Sequence, residues 1–236
     1  MKNSDKSIVI LSGGMDSVTT LAYANNKGFK NYCITFNYGQ KSYSEINSAK
    51  YYANYYDCLD HKIFDINFDL FTESSLISEN INVPSENFTD KIPNTYVPLR
   101  NIIFLSIACS WAESLSIKNI FLGVNSIDYS GYPDCRPEFI QKFTDMLSVG
   151  TKSGSQNNNF NIHTPLIDLS KIDIIRLGKS LNVDYYNSVS CYQANEKGEA
   201  CGKCESCLFR KNAFKELGIQ DETKYFSRRV INSWKL

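Results

Sequence analysis

Neither sign of charge is in excess in this chain: 25 lysines and arginines stand against 25 aspartates and glutamates in 236 residues. With no basic stripe, nucleic-acid binding has no support as the main task; Arg228-Arg229 is a short exception that reads as a solvated tail. No apolar run is long enough to span a membrane. Ile8-Val9-Ile10-Leu11 is too short for a signal peptide, so a cytoplasmic location is expected. Two nucleotide signatures are also missing. There is no Gly-x-Gly-x-x-Gly, and no Gly-x4-Gly-Lys-Ser/Thr: Gly150-Thr151-Lys152-Ser153 imitates the tail of the latter without a glycine at the required spacing. Histidine is scarce, and His61 and His163, far apart, read as structural.

What is present begins with Leu11-Ser12-Gly13-Gly14-Met15-Asp16-Ser17-Val18. The segment follows a short apolar run and opens into a helix-like stretch at 18–27. Glycines let backbone N–H groups approach an anion, and a helix N-terminus adds partial positive charge. Ser12 and Ser17 can donate to phosphate oxygens. Asp16 beside phosphate would repel it unless a Mg²⁺ ion bridges them. Asp16 is expected in a solvent-facing loop, where its removal costs turnover and little stability. The competing reading is a plain strand–helix turn with serine as the helix cap.

Apolar runs at 7–11, 31–37, 62–66 and 119–124 read as strands, and 18–27, 43–56, 99–115, 136–147 and 170–181 as helices; 150–161 reads as a polar surface loop. This alternation predicts an α/β fold, a parallel sheet with helices on both faces, with ligands outside the carboxyl ends of the strands. The composition changes at 188. Two units are expected: 1–187, nucleotide-binding and catalytic, and 188–236, a cysteine-bearing segment and helix packed on it.

Eight cysteines in a cytoplasmic chain argue against disulfides. Cys33, Cys58 and Cys109 sit among apolar residues as small hydrophobes; Cys135 stands apart. Cys191, Cys201, Cys204 and Cys207 have C-x9-C-x2-C-x2-C spacing, which suits a closed, structural, tetrahedral Zn²⁺ site. An iron–sulfur cluster and a sulfur-carrying Cys-x-x-Cys pair are the alternatives. Lys197, Lys203, Arg210 and Lys211 stand close enough in sequence to offset thiolate charge.

The first loop resembles that of the N-type ATP pyrophosphatases, and the remaining motifs narrow the match. Phe36-Asn37-Tyr38-Gly39-Gln40, Thr95-Tyr96-Val97-Pro98-Leu99-Arg100-Asn101, Asp128-Tyr129-Ser130-Gly131-Tyr132-Pro133-Asp134-Cys135-Arg136 and the cysteine tail resemble the 7-cyano-7-deazaguanine synthase family over nearly the whole chain. One departure is Leu99, where the family pattern has glycine. The resemblance implies an adenine nucleotide alpha hydrolase-like, Rossmann-like fold with a zinc knuckle. It implies an ATP-dependent ligase joining 7-carboxy-7-deazaguanine and ammonia into the nitrile precursor of queuosine, with Mg²⁺ and Zn²⁺, as a homodimer.

The resemblance also gives roles to residues. Leu11, Ser12, Gly13, Gly14, Met15, Asp16, Ser17, Val18, Tyr38 and Gln40 are expected at the nucleotide. Asp16, Ser17 and Arg100 are expected in catalysis, Arg100 neutralising phosphate or the substrate carboxylate unless it is merely a helix-start charge. Asp128, Tyr129, Tyr132, Asp134 and Arg136 are expected around the guanine-like base, the tyrosines stacking on its face. Lys171 opens a helix where lysines are ordinarily solvated, yet it can reach phosphate. Other readings are a pyrophosphate-loop tRNA thiolase, another ATP-dependent amidating ligase, a homologue transferring the deazaguanine group to DNA or protein, and a zinc-stabilised nucleotide sensor without turnover.

Overall fold

The computed structural model describes residues 5–67, 73–78, 80–84, 92–127 and 131–226. Its elements run β1 (Lys6–Ile10), α1 (Met15–Asn26), β2 (Lys30–Asn37), α2 (Ser44–Tyr55), β3 (Asp60–Asp65), α3 (Arg100–Ser114), β4 (Asn119–Leu122), α4 (Pro137–Gly150), α5 (Lys152–Ser155), β5 (Asn161–His163), α6 (Lys171–Ser180) and α7 (Glu205–Glu216). The five strands form one parallel sheet in the order β3-β2-β1-β4-β5.

Strand alternation divides the core. Ile8 and Ile10 of β1, Ile34 and Phe36 of β2, and Ile120 and Leu122 of β4 face α3 and α4, meeting Phe104, Leu105, Ile140 and Phe143. Val9 and Leu11, Cys33 and Phe121 face the other way, onto Val18 and Leu21 of α1, Tyr52 of α2, Ile175 of α6 and Phe214 of α7. Both faces of the central strands are therefore covered, which is why they read as continuous apolar runs. β3 lies at the edge, and Ile63 and Phe64 are partly exposed there.

Connections leave β1 toward opposite sides at its two neighbours, β2 and β4. The loops after β1 and β4 part at this switch point and open a crevice at the carboxyl edge.

The stretch 150–161 is not a loop throughout. α4 runs on to Gly150, and Thr151 caps α5 by accepting the Gly154 amide at 3.0 Å. A Cβ on Gly154 would lie 2.3 Å from the Ser148 carbonyl oxygen, so glycine is needed for that close return. Asn161 then starts β5, whose three residues carry no apolar run that marks a strand. The two histidines are structural, as expected. His61 bonds the Thr35 hydroxyl at 2.8 Å, and His163 stacks on Phe121 and bonds Asn119.

Candidate active site

The loop after β1 is held in shape by its own serines. Ser17 Oγ accepts from the amides of Ser12 and Gly13 and from Ser12 Oγ, at 3.0–3.2 Å, and donates to the Gly14 carbonyl at 2.9 Å. Gly13 has φ +87°, and a Cβ there would stand 2.3 Å from the Glu45 carbonyl oxygen. Glycine thus lets the loop lie against the start of α2. Gly13's carbonyl accepts from Ser48 Oγ and the Val189 amide. The Met15 amide donates to Ser190 Oγ at 3.2 Å. The amides of Asp16 and Ser17 fall in the first helical turn, which has no intrahelical acceptor and faces the cleft with positive potential.

Asp16 is not in a solvent-facing loop. It lies in the first turn of α1, and both its carboxylate oxygens accept from Lys171 Nζ, at 2.9 and 2.8 Å. Lys171 opens α6 with its side chain 7% exposed against 19% for Asp16. Ser170 caps α6 and so fixes where the lysine starts. A helix-start lysine that composition reads as solvated is in fact buried at the loop after β1.

The opposite half of the cleft is aromatic. Phe36 and Phe104 stack at 4.1 Å and 8°, and the Tyr38 ring lies 5.5 Å from Phe104. Arg100 hydrogen-bonds Tyr38. Burial of its guanidinium works against the charge, but Tyr38, Tyr132 and Asp134 outweigh it and hold the group protonated. Glu45, in the first turn of α2, also faces the cleft. Burial pushes its carboxyl up to about 8, against the pull of Arg100. Leu99 precedes α3 at φ 58°, ψ 14°, the left-handed region, which is the physical reason a glycine suits that position.

The expected site residues divide. Leu11, Ser12, Gly14, Met15, Asp16, Ser17, Tyr38, Gln40, Arg100 and Tyr132 line one cleft, together with Lys171. Gln40 spends its amide locally, accepting from the Tyr38 amide and donating to the Phe36 carbonyl. Tyr132 is buried, with its hydroxyl 2.5 Å from Thr95 Oγ1, and forms part of the cleft wall. Val18 is fully buried on the core side of α1, its amide donating to the Gly14 carbonyl; neither it nor Gly13 lines the cleft. Asp134 and Arg136 do not line it either. Asp134 accepts from the Asn101 amide at the start of α3, and Arg136 is an exposed residue capping α4. Asp128 and Tyr129 lie outside the described residues, as do Arg228 and Arg229. Lining residues missed by sequence reasoning include Ser42 and Glu45. Their available signal was position, shortly after the end of β2.

The four clustered cysteines meet. Their sulfurs all lie within 4.8 Å of one another, with Cys201–Cys207 and Cys191–Cys204 each at 4.0 Å. Metal–sulfur bonds of about 2.3 Å in a tetrahedron set the sulfurs about 3.8 Å apart, so the set fits a single ion. A cubane would place each thiolate on a separate iron, farther from its neighbours. Amides of Gln193, Cys201 and Cys204 point at the sulfurs. Arg210 does not offset their charge. It is 2% exposed, bonds Asp221 and the carbonyls of Tyr185 and Ser188, and ties α7 to the segment before the cysteines. Ser190, Tyr192 and Ser206 carry this knuckle to the wall of the cleft.

A family model described as "Queuosine biosynthesis protein QueC" matches residues 6–218. A protein of Legionella pneumophila (strain Corby) named 7-cyano-7-deazaguanine synthase is 49% identical over 220 residues, 93% of this chain and 96% of that protein. One of the same name from Dechloromonas aromatica (strain RCB) is also 49% identical, over 93% of this chain and 98% of its own length. Among solved structures, a 4-thiouridine synthetase–RNA complex with bound ATP is similar with a TM-score of 0.53 at 16% identity, covering 94% of this chain and 47% of that one. A likeness at that identity speaks for the fold alone.

Proposed function

Because the chain belongs to the QueC family of queuosine biosynthesis proteins, we propose that it converts 7-carboxy-7-deazaguanine and ammonia, with ATP, into 7-cyano-7-deazaguanine. One observation carries this reading within the molecule. A phosphate loop and a buried Lys171–Asp16 pair share one cleft with an arginine and an aromatic wall suited to a flat heterocycle.

A carboxylate is a poor electrophile. Transfer of AMP to its oxygen supplies a leaving group, and ammonia displaces AMP to give the amide. A second AMP transfer, to the amide oxygen, followed by loss of AMP and a proton, gives the nitrile. The enzyme is thereby an ATP-dependent carbon–nitrogen ligase. The amides of Asp16 and Ser17 in the first turn of α1 hold the departing pyrophosphate, and the hydroxyls of Ser12 and Ser17 exchange their bonds within the loop for its oxygens. Lys171 exchanges Asp16 for phosphate oxygens when ATP enters. Asp16, so released, would hold Mg²⁺, whose preference for one or two carboxylates plus phosphate oxygens matches this donor set and which neutralises charge building on the pyrophosphate. Arg100 binds the substrate carboxylate and orients it toward the α-phosphorus. Cys191, Cys201, Cys204 and Cys207 would hold one structural Zn²⁺, a closed site without an open position for chemistry.

We assign the protein to the cytoplasm as a homodimer, and a monomer mass by light scattering would remove the latter. Among the described residues no helix is long and apolar enough to cross a membrane. The relatives' names favour this activity over a tRNA thiolase. Mass spectrometry after incubation with ATP, ammonium and 7-carboxy-7-deazaguanine tests it: the nitrile is expected, and unconsumed substrate would refute it.

A further inference from the structure

Of the described residues lining the cleft, two are acidic, Asp16 and Glu45. Asp16 is taken on both oxygens by Lys171. Glu45 lines the same cleft as the stacked Phe36 and Phe104, within reach of the Arg100 charge. Burial raises its carboxyl to about 8, so the charged form lacks adequate solvation in the open cleft. A second observation lies three residues away. Ser42 is 2% exposed and lines the same cleft, its hydroxyl turned to the Glu45 carboxyl and otherwise without a partner among the described residues. Buried polar groups in native structures are rarely left short of bonds, and a ligand is one thing that completes them. A carboxyl short of solvation and the hydroxyl beside it, in one cleft with a flat aromatic wall, make a polar edge for a heterocycle.

We propose that Glu45 and Ser42 form the base-reading edge of the site, Glu45 accepting the ring N–H and the 2-amino group of the guanine-like substrate while Ser42 donates to the neighbouring ring nitrogen. This rests on the function proposed above. A guanine-type edge presents two adjacent donors, which match the two oxygens of one carboxylate. Adenine sets its amino group beside an acceptor nitrogen and offers no such pair, so the same edge keeps the base of ATP out of the substrate position. The two donors also supply the solvation that the ionised Glu45 lacks when the cleft is open.

The test is steady-state kinetics of the full-length holoenzyme with 7-carboxy-7-deazaguanine and with its analogue lacking the 2-amino group. Glu45→Gln keeps the shape but replaces one acceptor by a donor. The wild type should prefer the amino substrate by at least about 100-fold in kcat/KM, since a site built to bond a group rejects the analogue without it. Glu45→Gln should shrink that preference below about tenfold with KM for ATP unmoved. Ser42→Ala should raise KM for the deazaguanine several-fold. A Glu45→Gln enzyme that keeps the wild-type preference overturns the assignment. So does one that loses kcat equally on both substrates with KM unmoved, because that pattern gives the carboxyl to proton transfer. If Glu45→Gln does not fold, Ser42→Ala decides, and an unchanged KM overturns the proposal. A wild type that turns over neither compound refutes the function itself, and the inference falls with it.

Discussion

Asp16 and Lys171 meet across 155 residues of sequence, and their pairing changes what a substitution at either should do. Asp16→Ala removes the carboxylate from a lysine that is 7% exposed. The variant should lose about 10²–10³-fold in kcat, and also about 1–3 kcal/mol of stability, because the ammonium stays buried without its counter-charge. Adding Lys171→Met should restore the melting temperature and leave activity lost. Thermal melts of the single and double variants check this; a single variant as stable as wild type would show that the pair contributes nothing. Sequence alone pointed to Asp16, Ser12 and Ser17, because adjacent glycines, a serine and an acid between a strand and a helix have few uses. It could not tell a buried helix-start lysine from a solvated one, since that depends on where α6 docks. Glu45 was invisible for the same reason: on α2 it reads as an ordinary polar helix-start residue until Gly13 brings the loop against it, and Ser42, before that helix, reads as an ordinary loop serine.

Element ends carry two further tests. α3 starts after a left-handed Leu99 that is 51% exposed. Leu99→Gly removes the Cβ clash of that conformation, worth about 1–2 kcal/mol, and returns part of it as unfolded-chain entropy. A net gain of about 0.5–1 kcal/mol in a denaturant titration is the expected result, with Arg100 and Asn101 undisturbed. The cysteine knuckle should carry one zinc per chain by elemental analysis. A strong chelator, or Cys204→Ala, should lower the melting temperature, because metal binding energy is folding energy at such a site. Near-stoichiometric iron and acid-labile sulfide would replace zinc in the account. Strands and helices with clear apolar patterns were legible to within a few residues. β5 and α5 were not: three-residue and four-residue elements in a polar stretch owe their form to pairing with β4 and to a glycine-tight return on α4.

At the scale of the molecule, the C-terminal segment is part of the site's wall. Val189 bonds the carbonyl of Gly13, Ser190 takes the first amide of α1, and Cys191, Cys204 and Cys207 belong to the same apolar cluster as β1 and α3. Arg210 and Asp221, 3% and 10% exposed, bind this segment down. We therefore propose that the described part of the C-terminal segment, 188–226, folds with the sheet and its helices as one unit. Asp221→Ala should cost about 3–5 kcal/mol by leaving a buried arginine without its partner, and should weaken ATP binding together with the fold. Two separate unfolding transitions would contradict that unity. If this cleft activates a carboxylate by transferring AMP to it, a carboxylate oxygen must leave on the nucleotide. The most direct measurement uses 7-carboxy-7-deazaguanine carrying oxygen-18 in its carboxylate, with ATP and ammonium, and follows the label by mass spectrometry. Nitrile product, label in AMP and unlabelled pyrophosphate are expected. Label in inorganic phosphate, with ADP as the nucleotide, would contradict AMP transfer.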